Sequence, residues 1–160
     1  MAIRKYLARD FIFQISTDNR ATWTTISGIN SWTWATDSND EDASTFDSGA
    51  WGSSMYTQRT GSTTLEGFYL VDSVTKARDQ GQYLVERAAT KVGYDAYRDF
   101  QIICSPLVSG ARGPYIGSLI FTGQAAMSDM GGNTTDIMPW GVDLVWDGAP
   151  TGSGIFDIFN

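Results

Sequence analysis

The stretch that decides the fold is Trp32-Thr33-Trp34-Ala35-Thr36, then Asp37-Ser38-Asn39-Asp40-Glu41-Asp42-Ala43-Ser44-Thr45-Phe46-Asp47-Ser48-Gly49-Ala50-Trp51-Gly52-Ser53-Ser54, then a long run from Met55 to Val71. It reads as a short strand, an acidic arm over 36–55 and a long strand. Most connections in compact domains are about 4–6 residues, so an arm this long calls for a job. Phe46 and Trp51 stand in it as aromatic anchors among acids and glycines. The following strand, Tyr56 to Leu70, is polar on both faces in its first half and apolar in its second. Such a strand suits a surface sheet or a wet channel wall at one end and a core at the other.

Upstream, Phe11, Phe13 and Ile15 alternate with Ile12 and Gln14, and Thr22 to Ile26 is rich in β-branched residues, so a hairpin is expected through Thr17-Asp18-Asn19-Arg20. Ser16-x-Asp18-x-Arg20-x-Thr22-Trp23 resembles the Asp-box turn of sialidase-type propellers, with Arg20 where that box has glycine. A single copy without a blade repeat is a turn signal and not a propeller. Downstream, Ala77, Gly81, Leu84, Val85, Ala88 and Val92 fall on one helical face, which predicts a helix over 74–92, capped by Asp72 or Ser73 and ended by Gly93. Tyr97 to Cys104, Tyr115 to Met127 and Val142 to Trp146 read as further strands. The tail 148–160 ends in an alternating apolar run, Ile155-Phe156-Asp157-Ile158-Phe159. It can pack back on its own sheet or add to a neighbour's edge.

Composition narrows the function. The chain has 160 residues, a net charge of −7, no histidine and one cysteine, Cys104. One domain spanning 1–160 is expected. The acidic balance argues against a nucleic-acid grip and against adhesion to anionic membranes. A lone thiol in an apolar run reads as a buried hydrophobe in a reducing or indifferent compartment. Neither a signal peptide nor a continuous apolar span of transmembrane length is seen.

Without histidine, the usual neutral-pH base and the serine triad are gone, and Cys104 lacks a base to activate it. Paired carboxylates on a long arm lack the rigid placement that glycoside cleavage requires, so no enzyme is read here. Asp37-x-Asn39-x-Glu41 copies the first ligand positions of a calcium loop, but Asp42 stands where glycine is needed. It is read as a solvated charge run, and neither a metal nor a cofactor is expected.

The early hairpin running into Ile26-Ser27-Gly28-Ile29, the acidic stretch Asp37 to Asp47 and the Arg59-Thr60-Gly61-Ser62-Thr63-Thr64-Leu65-Glu66-Gly67 strand together resemble the tail tube protein family of tailed bacteriophages and related contractile injection tubes. That resemblance implies a mainly β fold, a small β-barrel or two-sheet sandwich with one flanking α-helix and a long extended loop arm. It implies a structural subunit whose homo-hexameric rings stack into a hollow, helical tube. The tube encloses the tape measure protein, meets baseplate or tail-tip and terminator proteins, and conducts DNA into the host without binding it specifically. The place implied is the virion tail, assembled in the host cytoplasm, with no membrane insertion of the monomer. Carried onto this chain, Asp40, Asp42, Phe46 and Trp51 would make subunit or ring contacts. Ile155, Phe156 and Phe159 of the tail would join them, and Thr57, Arg59 and Thr63 would face the lumen. The competing reading is a monomeric β-sandwich carbohydrate-binding module with Trp51 or Trp140 as platforms. A third, a hydrolase using the arm carboxylates, would lose turnover on Asp42→Asn with its oligomeric state intact.

Overall fold

The computed structural model describes residues 6–45, 52, 54–108, 110–135 and 137–158. In chain order the strands are β1 (Phe11–Ser16), β2 (Thr24–Ile26), β3 (Ile29–Asp42) and β4 (Ser54–Phe68). Helix α1 (Gln80–Ala89) follows, then β5 (Tyr97–Cys104), the short pair β6 (Leu107–Val108) and β7 (Ala111–Arg112), β8 (Gly117–Met130), β9 (Pro139–Trp146) and β10 (Thr151–Gly154). One eight-stranded sheet runs β2-β1-β5-β8-β9-β4-β3, with β10 added to β8, and β6 and β7 pair separately. All its ladders are antiparallel.

The expected barrel or two-sheet sandwich is not what forms. The fold is mainly β with one flanking helix, but β2 and β3 lie at opposite ends of the strand order and no ladder joins them. The helix explains why. The groups of Ser27 that could continue a ladder past β2 are taken by α1 side chains: Asp79 Oδ2 accepts from Ser27 N (3.3 Å), and Gln82 Nε2 donates to Ser27 O (3.0 Å). Gln82, fully buried, also donates to Phe68 O (2.8 Å) and accepts from Leu70 N (3.1 Å), so one side chain ties the turn after β2 to the end of β4. Side chains span the opening that remains: Trp32 of β3 meets Phe11 and Phe13 of β1 at ring separations of 4.9 and 5.6 Å. A cavity of about 370 Å³ persists there, lined by Phe11, Phe13, Ile26, Ile29 and Trp32 among others.

The concave face holds the core. Phe13, Ile15, Leu65, Phe100, Ile102, Leu119, Phe121, Trp140, Val142 and Leu144 are buried, each at the inward phase of its strand. Val85 and Ala88 of α1 close the layer from one side. Gly81 is required there, because a β-carbon on it would lie 2.2 Å from Thr25 O.

Helix α1 is shorter than the periodicity implies. Residues 72–78 form a side-chain-tied turn instead: Asp72 Oδ1 accepts from Val74 N (2.9 Å) and Thr75 N (2.6 Å), and Lys76 takes a left-handed φ of 58°. The actual cap is Asp79, which accepts from Gln82 N at 2.9 Å. Val92, expected on the apolar face, is 85% exposed.

The arm also differs from an extended loop. β3 continues through the acidic residues to Asp42 and pairs with β4 as far as Asp42↔Ser54. Because β9 pairs with β4 only from Ser62 onward, this two-stranded ribbon projects past the sheet by about 20 Å. The loop reading fails because β4 supplies a ladder partner from Thr36↔Gly61 to Asp42↔Ser54.

Candidate functional surfaces

The early turn ties itself as its residue types suggest. Ser16 Oγ donates to Asp18 Oδ1 (2.8 Å), Arg20 N donates to Ser16 Oγ (3.0 Å), and Thr22 donates to Asp18 through both its amide and its hydroxyl. The Thr22 hydroxyl and amide, then the Ser16 hydroxyl, pull the Asp18 carboxyl down to about 2. Arg20 adopts φ 70°, the left-handed geometry that glycine serves in the resembling box. Its guanidinium reaches Asp99 (3.0 Å) and Thr122 (3.3 Å) on the convex face of the sheet.

The outward phase of the strands makes that convex face polar along much of β3, β4 and β8. The registers place Ser31, Thr33, Ala35 and Asp37 of β3 beside Glu66, Thr64, Ser62 and Thr60 of β4. Asp143 and Val145 of β9 follow beside Ala126 and Gln124 of β8, then Thr122↔Asp99 and Gln101↔Gln14 across β5 and β1. Hydroxyls pin its acids: Thr64 Oγ1 donates to Asp143 Oδ1 and Thr122 Oγ1 to Asp99 Oδ1, both at 2.7 Å. None of the strand residues named on this face is Lys or Arg; Arg20, from the turn, is held by Asp99.

Of the residues expected to face a lumen, Thr63 is buried and Thr57 and Arg59 are exposed on the ribbon. From Gln58 onward β4 alternates in phase with buried Leu65, which puts Arg59 and Thr63 on the inward phase. Thr63 is fully buried and accepts from Trp146 Nε1 at 2.9 Å, so it lines no channel. Thr57 lies at the register shift opposite Asn39, whose carbonyl accepts its hydroxyl at 3.2 Å, and it is exposed. Arg59 is exposed on the ribbon, 5.9 Å from the Tyr56 ring. The convex face could have been found from sequence by counting in twos from Leu65, which selects Gly61, Thr63 and Gly67 as inward and leaves Ser62, Thr64 and Glu66 facing out.

Of the contact residues, Asp40 and Asp42 are exposed on the projecting ribbon. Phe46, Trp51 and Phe159 lie outside the described residues. Ile155 is 41% exposed, whereas Phe156 is buried, with its ring 6.2 Å from that of Phe11. Phe156 is therefore a core residue and not a free contact. The tail packs back as β10 along Gly117–Ile120 of β8 before turning at 155–158. Trp140 is buried with its Nε1 donating to Glu86 Oε1 (3.2 Å), which rules it out as a glycan platform. Asp37, Asn39 and Glu41 occupy an extended strand, where successive same-side residues stand about 6–7 Å apart and cannot wrap one ion. Among the described residues, no group of three or more His, Cys, Asp and Glu is placed to hold a metal, and no helix is long and apolar enough to cross a membrane.

No family model matches this sequence, and no curated protein matches it. Solved structures do resemble it. A chain of the SPP1 tail tube, determined by solid-state NMR and cryo-EM, superposes with a TM-score of 0.60 at 11% identity, covering 94% of this chain and 80% of that one. A chain from the tail of an empty gene transfer agent particle, refined helically with C6 symmetry, gives 0.59 at 14% identity over 94% and 100%. One from the sheath/tube terminator of an extracellular contractile injection system gives 0.61 at 12% over 96% and 100%. The chain thus shares its fold with chains of tail and injection-system assemblies.

Proposed function

We propose that this chain is a structural subunit of a tail tube. Six copies close into a ring and rings stack into a hollow, helical tube. The observation that carries the reading is the open sheet. β3 leaves one edge of a 14-residue strand without a strand partner among the described residues, in a fold shared with tail assemblies. A long free edge is a template for another chain, and a closed ring is the ordered way to occupy it.

The convex face supports a channel wall. Its hydroxyls, amides and pinned carboxylates offer DNA phosphates little to hold, since the one cation named there, Arg20, is paired with Asp99, and this suits passage without binding. In this reading the tube surrounds the tape measure protein and ends on baseplate or tail-tip and terminator proteins. Assembly takes place in the host cytoplasm and the product resides in the virion tail. The ribbon of β3 and β4, with Asp40 and Asp42, bridges neighbouring copies.

Negative-stain electron microscopy across a concentration series tests this. Rings or striated tubes with a central hole and six-fold averages are expected. A chain that stays monomeric at every concentration refutes the self-assembling subunit.

A further inference from the structure

Two separate places carry several like charges that no ion pair among the described residues compensates, although Arg59 stands exposed on the ribbon as well. Arg87 in the last turn of α1, Lys91 just beyond it and Arg98 of β5 line one groove of about 240 Å³, with Thr17, Leu84 and Ala88. Among the described residues no carboxylate stands within ion-pair distance of any of the three; the ion pairs formed are Arg20–Asp99 and Arg78–Glu86. In a chain of net charge −7, three cations left together and unpaired call for an anion from outside. The second place is the projecting ribbon. Asp37, Asp40, Glu41 and Asp42 are all exposed there and form no ion pair among the described residues. Only local amides and hydroxyls attend them, as where Ser44 N donates to Asp42 Oδ1 at 2.8 Å.

We propose that the acidic ribbon of one copy docks on the Arg87–Lys91–Arg98 groove of a second copy. The spacing of the charges fits. Asp40 and Asp42 alternate on one side of a strand, about 6–7 Å apart. Arg87 in the last turn of the helix and Lys91 just past its end line the same groove. Two carboxylates can therefore meet two cations at once, with Arg98 beside them. The two surfaces are different patches of the same chain, so the contact is heterologous and propagates from copy to copy instead of ending at a dimer. This deepens the tube reading and rests on it, naming the surface that receives the ribbon.

The test is charge reversal on exposed residues. Asp40→Lys with Asp42→Lys makes one variant, and Arg87→Glu with Lys91→Glu the other. Each alone raises the concentration needed for assembly by at least about tenfold, while the fold, read by thermal melting, is kept. An equal mixture of the two assembles again, because the reversed ribbon of one meets the reversed groove of the other. If wild type assembles and either variant assembles equally well, or the mixture stays dissociated, the docking is wrong and the tube reading survives. A wild type that never associates overturns both. Retention of labelled duplex DNA by wild type, lost in the groove variant with assembly unchanged, would assign the groove to phosphate and overturn the proposal.

Discussion

Gly61→Ala adds one methyl just past the end of the β4–β9 ladder, against Trp146, and should destabilise the fold out of proportion to its size. A β-carbon on Gly61 would lie 2.0 Å from Trp146 Cε3, 2.5 Å from Cδ2 and 2.6 Å from Cζ3. Ordinary carbon contacts begin near 3.5 Å, so the ring must retreat by more than an ångström. It has little room. Trp146 is stacked on Trp34 (6.0 Å, 13° between planes), packed on Phe121 (5.2 Å) and hydrogen-bonded to Thr63 at 2.9 Å. Overpacking of a tight core costs about 1–3 kcal/mol. Pulling Nε1 from the buried Thr63 hydroxyl adds about 1 kcal/mol more. A total of roughly 2–4 kcal/mol lowers Tm by about 5–15 °C for a chain of this length. Urea unfolding followed by tryptophan fluorescence measures it, and the double-mutant cycle with Trp146→Leu identifies the cause. With the ring gone, alanine at 61 should cost under about 1 kcal/mol. A Gly61→Ala variant within about 0.5 kcal/mol of wild type, or an equal cost in both backgrounds, refutes the reasoning.

Gln82→Leu leaves Ser27 O, Phe68 O and Leu70 N without their buried partner, and should cost about 3 kcal/mol in chemical denaturation, with faster amide exchange at Leu70. Trp140→Ala removes a ring in the core and should cost about 3–5 kcal/mol in the same assay, the behaviour of a packing residue and not of a glycan platform. The Asp18 carboxyl is depressed in the folded chain to about 2, so its contribution to stability is fully present above its unfolded value near 4 and is lost as pH falls toward 2. Thermal melts from pH 6 to 2 should therefore fall less steeply in Asp18→Asn than in wild type, from a lower starting Tm.

Several features were legible in the residues because they depend on local pattern. Alternation located β1, β8 and β9, and Ser16, Asp18 and Thr22 announced their turn by types that bond to nearby backbone. Helix α1 was half legible. Its apolar spacing was real, but the cap expected at Asp72 or Ser73 is Asp79. Only the bond from Ser27 N and the closing of 72–78 into its own turn favour Asp79.

The open sheet could not be read in one dimension, because it depends on where a glutamine side chain lands. Gln82 looks like a surface residue until β2 and β4 converge on it. Thr63 and Phe156 were misplaced for the same reason. A hydroxyl on a polar strand and an aromatic on a tail read as exposed, and the Trp146 indole and the β8–β10 pairing bury them. What the sequence alone determined is the period of strands such as β1 and β9, the tied turn and the acidic balance, all consequences of short-range stereochemistry and composition. The tertiary structure alone decided which phase faces the core, that the sheet stays open, and that Arg87, Lys91 and Arg98 come to line one groove, since each depends on groups far apart in the chain meeting or failing to meet.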